Sequence, residues 1–124
     1  MLSYVSDEVF KALTLEALDS LPGEHAKRIS NVAIIYADEP DDEQRERLRL
    51  RNDQTLFGLY EGVPLPFRQG QTRLLPDKIT LFKLPLASAS ADINQFKENI
   101  RHTLWHEIGH YYGLDHKRIR ELEN

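Results

Sequence analysis

The sequence predicts an α+β domain: a small mixed β-sheet of about three strands, packed with an N-terminal helix and a C-terminal helix that carries the chemistry. Three observations predict it. An amphipathic helical period opens the chain, three short β-branched or aromatic runs occupy its middle, and a long helical period near the end contains three regularly spaced histidines. At 124 residues, with 40% hydrophobic and 29% charged residues, the chain reads as a single domain, 1–124, with a modest core.

Residues 6–20 fit an amphipathic helix. Ser6 is placed to cap it, Val9, Phe10, Leu13, Ala17, Leu18 and Leu21 form the apolar stripe, and Pro22-Gly23 ends it. Val32 to Ala37 (VAIIYA) is a β-branched apolar run, expected as a buried strand. Asp38 to Glu43 is acidic and interrupted by Pro40. It reads as a solvated loop leading into a polar helical piece to about Arg51, with a cation site as the alternative. Leu56 to Tyr60 reads as a second strand and Ile79 to Leu84 (ITLFKL) as a third. Between them, residues 61–77 form a long loop rich in Pro and Gly, which either walls a substrate cleft or simply connects. The 79–84 strand is expected to offer an edge to an extended peptide. Ala87 to Ala91 is a small-residue linker, and Asp92 is placed to cap the last long helix, which should run to about Tyr112. A short charged helix over 116–123 closes the chain.

The long helix ends in His106-Glu107-Ile108-Gly109-His110-Tyr111-Tyr112-Gly113-Leu114-Asp115-His116, or HExxHxxGxxH. On a helix His106 and His110 are i and i+4, one turn apart on one face, so both rings can reach one ion. Glu107 lies about 100° around from His106, off the ligand position but within reach of water held there. Gly113 accepts a positive φ, so it can end the helix and swing the chain back, bringing His116 in as a third ligand. Three protein ligands with a fourth position open is the arrangement of catalytic zinc. The reading is therefore a metal-dependent hydrolase with one Zn2+ per chain on His106, His110 and His116, and Glu107 as general base. Metal binding needs neutral imidazoles, so affinity should fall below about pH 6.5.

Ile100, Leu104, Ile108 and Tyr111 form the opposite, core-facing stripe, with Trp105 and Tyr112 at its edge. His102, one turn before His106, is expected as a partly exposed histidine beyond the ion, with an extra metal ligand or a group that supports the ligands as the alternatives. Phe57, Tyr60, Phe67, Tyr111 and Tyr112 are candidate pocket liners, although aromatic residues in a small domain usually belong to the core. Tyr111 or Tyr112 is a candidate oxyanion donor.

Composition excludes other classes. The chain has no cysteine, so it has neither a disulfide framework nor a thiolate ligand or nucleophile, which fits a reducing compartment. No stretch approaches 18 apolar residues, so no membrane helix is expected. The opening segment carries Asp7, Glu8, Glu16 and Asp19 and lacks the basic start and apolar run of a secretory signal, so the expected compartment is the cytoplasm. A net charge of −4 gives no electrostatic reason to expect nucleic acid.

The motif resembles that of the zincins, and its third histidine resembles the metzincin branch. Metzincins carry a methionine turn downstream of the third ligand; here eight residues follow His116 and the sole methionine is Met1, so a standard metzincin is not expected. The chain is more similar to a family of small bacterial zinc metallopeptidases with a minimal zincin-like fold. That resemblance spans nearly the whole chain, through SDEVFKALTLEALDSLP, NVAIIYADEP, LFGLYEGVPL, LPDKITLFKLPL and TLWHEIGHYYGLD. Members often carry Asp where His116 stands. By position it implies His106, His110 and His116 as zinc ligands, Glu107 as base, and a peptide or protein substrate. A second resemblance is to the bacterial rRNA-maturation metalloendoribonucleases, whose HxxxHxxGxDH pattern Asp115-His116 also fits. Those enzymes lack the glutamate after the first histidine and hold RNA with a basic surface. An endoribonuclease of that type and a non-catalytic zinc-binding regulatory module are the alternative readings.

Overall fold

Ser6 opens the first helix through its own side chain. Helix α1 spans Asp7–Ser20; Ser6 Oγ accepts a hydrogen bond from the Val9 N–H at 3.1 Å, and Asp7 and Glu8 complement the positive end of the helix dipole. The structure is a computed structural model that describes residues 1–21, 32–63, 77–114, 117, 118 and 121; Pro22-Gly23 and most of the 61–77 loop lie outside them. Phe10, Leu13, Ala17 and Leu21 are buried as expected, but Val9 is 43% exposed and Thr14 takes its place on the buried face. The Thr14 hydroxyl donates to the Phe10 carbonyl at 2.8 Å, which satisfies it without water.

Strand β1, Val32–Ala37, has the bounds its sequence predicts. It is half-buried rather than buried, because it lies at one side of a three-stranded sheet of order β1-β3-β2. Strand β2 is Gly58–Glu61 and strand β3 is Asp77–Phe82. The middle strand β3 pairs parallel with β1 and antiparallel with β2. All of β3 except Lys78 is buried, as befits a strand covered on both faces. The expectation that the 79–84 strand offers an edge to a peptide is therefore corrected: both of its edges are already paired. Its end is corrected too. Lys83 and Leu84 belong to helix α3, Lys83–Ser88, which also takes in part of the supposed 87–91 linker. Pro85 sits in the first turn of α3, where no intrahelical N–H partner is lost. Lys83, 13% exposed, forms ion pairs with Asp7 at 2.6 Å and Asp38 at 3.6 Å, tying the start of α3 to α1 and to the end of β1.

The acidic segment folds as a connector. Helix α2, Asp42–Arg47, begins in a reciprocal capping box between Asp41 and Gln44. It stops short of the expected Arg51 because Arg49 turns to φ 56° and the Leu50 N–H returns to the Arg45 carbonyl at 2.9 Å. Gln44 and Arg47 both donate to the Glu61 carboxylate and so fasten α2 to the end of β2.

Helix α4, Ile93–Tyr111, starts where Asp92 caps it, with Asp92 Oδ1 accepting from the Gln95 N–H at 2.9 Å, a contact that contributes about 1 kcal/mol. Phe96, Ile100, Leu104 and Ile108 lie on one stripe at helical spacing and are all essentially inaccessible. They meet α1, where the Phe10 and Phe96 rings are 5.9 Å apart, and the buried face of the sheet through Ile79 and Leu81. Each such side chain contributes roughly 1.5–3 kcal/mol on burial. With one face committed to the core, the other face of α4 is left to the site. Beyond it, Lys117, Arg118 and Glu121 are helical and exposed, and the rest of the expected 116–123 helix lies outside the described residues.

Candidate metal centre

The i,i+4 spacing on α4 brings His106 and His110 together as the sequence implies. Their rings are 4.7 Å apart and nearly perpendicular, and the two Nε2 atoms approach to 3.1 Å. Two ligands held 2.0–2.1 Å from a tetrahedral ion lie about 3.3 Å apart, so the pair fits a shared zinc. Glu107 completes the group: one donor atom from each of His106, Glu107 and His110 lies within 4.8 Å of the others, the only such cluster among the described residues. Paired imidazole donors suit a borderline cation such as zinc.

Glu107 differs from its two neighbours in its surroundings. The histidines are half-exposed, whereas Glu107 is only 7% exposed and sits where β2 packs on α4. Its Oε1 accepts a hydrogen bond from the Tyr60 backbone N–H at 2.9 Å. Burial disfavours the charged carboxylate and pushes its pKa up from 4.5 to about 7, while the Tyr60 amide pulls in the opposite direction. The carboxyl is thus poised to gain and lose a proton near neutral pH.

Gly113 ends α4 at φ 78°, as its position predicts. The Gly113 N–H bonds the His110 carbonyl at 2.9 Å and the Leu114 N–H bonds the Gly109 carbonyl at 3.0 Å, the paired bonds of a Schellman ending. Asp115 and His116, the expected third ligand, lie outside the described residues. His102 is exposed and stands outside the His106–Glu107–His110 cluster. It lines an open pocket of about 490 Å³ with Thr55, Leu56, Phe57 and Thr103, and His106 and Glu107 line the same pocket. Among the candidate aromatic liners, Phe57 borders this pocket and is 42% exposed. Tyr111 is buried in an edge-to-face stack with Tyr60 and Tyr112, and the Tyr60 hydroxyl donates to Asp77 Oδ2 at 2.7 Å. Phe67 is outside the described residues.

Two participants escape sequence reasoning. The Tyr60 amide is a backbone group, which no residue type announces. Gly58, against which α4 packs, has a signal: a glycine inside a strand pattern often marks a close backbone approach. No described helix is long and apolar enough to cross a membrane. No curated protein matches the chain. A family model described as zincin-like metallopeptidase matches residues 29–124, most of the chain and all of the site. With that match and the His-Glu-His group on its last long helix, the chain belongs to the zincin-like metallopeptidase family.

Proposed function

We propose that this chain hydrolyses peptide bonds, with one zinc held by His106, His110 and His116 and with Glu107 as general base. The observation that carries the reading is the buried Glu107 carboxyl, with a pKa of about 7, beside two imidazole nitrogens 3.1 Å apart. When bound, zinc supplies Lewis acidity, polarising a carbonyl and acidifying water. Glu107 does the proton work. Its Oε1 is held by the Tyr60 N–H, and Oε2 makes no hydrogen bond to any described residue, so Oε2 is the oxygen that takes the proton from the attacking water. Once protonated, the same carboxyl can pass that proton to the leaving amine.

Support for a peptide substrate comes from the match to the zincin-like metallopeptidase family. The pocket at the site, walled by Leu56 and Phe57, suits an apolar side chain next to the scissile bond. The test is to offer zinc-loaded protein fluorescence-quenched peptides with apolar or acidic residues flanking the scissile bond, and a single-stranded RNA. Cleavage of the apolar peptides, at least about tenfold faster than of the acidic ones, is the expected result. Cleavage of RNA alone makes the protein an endoribonuclease, and zinc uptake with no cleavage of either makes it a binding module.

A further inference from the structure

Gly58 lies where β2 crosses α4. A Cβ built on it would stand 2.5 Å from Thr103 Cγ2, 3.2 Å from the Thr80 carbonyl oxygen and 3.5 Å from Glu107 Cγ. The first distance is one that carbon atoms do not adopt. The second closes the retreat toward β3, to which Gly58 is paired through Leu81. Only a residue without a side chain lets the strand seat this closely on the helix. Two residues along the same strand, the Tyr60 N–H meets Glu107 Oε1 at 2.9 Å. Thr103 is itself fixed, because its Oγ1 donates to the Asn99 carbonyl at 2.7 Å and leaves Cγ2 facing the strand.

We infer that Gly58 is a positioning residue for Glu107: the Gly58–Thr103 seat sets the height of β2 over α4, and so aims the Tyr60 amide at Oε1 and leaves Oε2 to the site. This rests on the reading of Glu107 as the general base, but the geometry has its own readout. The Tyr60 amide proton reports its acceptor through its chemical shift and its exchange rate. In the zinc-loaded full chain, Glu107→Gln identifies that signal, because a neutral acceptor replaces a charged one. Gly58→Ala moves the signal upfield and speeds its exchange by at least about tenfold, as expected for a lost hydrogen bond to a charged group. Thr103→Ser deletes Cγ2 and keeps the hydroxyl, so alone it leaves the signal in place. Combined with Gly58→Ala it restores the shift and brings exchange back to within about threefold of the parent.

Peptide hydrolysis, where the parent shows it, follows the same order: lowered by Gly58→Ala through kcat rather than KM, and recovered in the double variant. If the parent cleaves no peptide, the peptidase reading fails while the amide signal still decides the seat. A folded Gly58→Ala protein with an unmoved Tyr60 amide overturns the inference, and so does a double variant that stays displaced. Should Gly58→Ala alone not fold, the double variant carries the test, because Thr103→Ser removes the Cγ2 that the new Cβ would meet. It must fold and keep the Tyr60 signal at its parent position, and failure to do either is equally fatal.

Discussion

Replacing Glu107 with glutamine is expected to stabilise the metal-free protein at pH 8 and to leave its stability unchanged at pH 4. The folded chain holds the Glu107 proton up to about pH 7, whereas the unfolded chain releases it near 4.5. A carboxyl whose pKa rises on folding favours the folded state less and less as pH increases through that window, because only the unfolded chain gains the freedom to ionise. The step from 4.5 to about 7 corresponds to about 3 kcal/mol, present in full above pH 7 and absent below 4.5. Glutamine keeps an oxygen to accept from the Tyr60 N–H and removes the ionisation. Its midpoint of denaturation should therefore exceed that of the parent at pH 8 and converge with it at pH 4. Zinc loading should shrink the difference, since a cation beside the carboxylate favours its charged form. A parent and variant with parallel pH profiles would show that Glu107 is not held in a desolvating site. The same substitution should lower peptide hydrolysis by about 10²–10⁴-fold, the range for loss of a positioned general base.

The second large effect is on the metal. His106→Ala and His110→Ala should each weaken zinc binding by more than about a hundredfold, since groups that merely orient a ligand already account for 10–100-fold. Both rings are half-exposed and project from the face of α4 opposite Phe96, Ile100 and Leu104, so the metal-free variants should fold with stability close to that of the parent. His116→Ala should match them if that residue is the third ligand, whereas His102→Ala, at an exposed position outside the cluster, should keep zinc. Zinc affinities from competition with a chromophoric chelator distinguish the four. Equal losses at His102 and His116 would mean that the third ligand was wrongly chosen.

Much of the architecture was legible because local chemistry and tertiary demand agree. VAIIYA, β-branched and apolar, forms the strand it predicts, Ser6 and Asp92 cap the helices they precede, and Gly113 ends α4 with the positive φ that glycine allows. The errors fall where they part. ITLFKLPL keeps an apolar pattern through Leu84, so the strand reading overran into α3; Pro85 in a first helical turn was the available corrective. Strand order was hidden for a different reason. Pairing joins residues distant in sequence, and the near-continuous burial of β3 marks a middle strand only once its neighbours are known. At the site, periodicity placed His106 and His110 correctly. The burial of Glu107 came instead from a strand 47 residues away, through an amide that every residue but proline possesses.

The most direct measurement is a titration of the metal-free protein with zinc, reading bound metal and peptide hydrolysis in the same samples, for the parent and for Glu107→Gln. The predicted result is that both proteins saturate at one zinc per chain, and that hydrolysis rises with occupancy in the parent and stays at background in the variant. Hydrolysis that survives in Glu107→Gln, or a parent that takes up no zinc at neutral pH, would contradict the account.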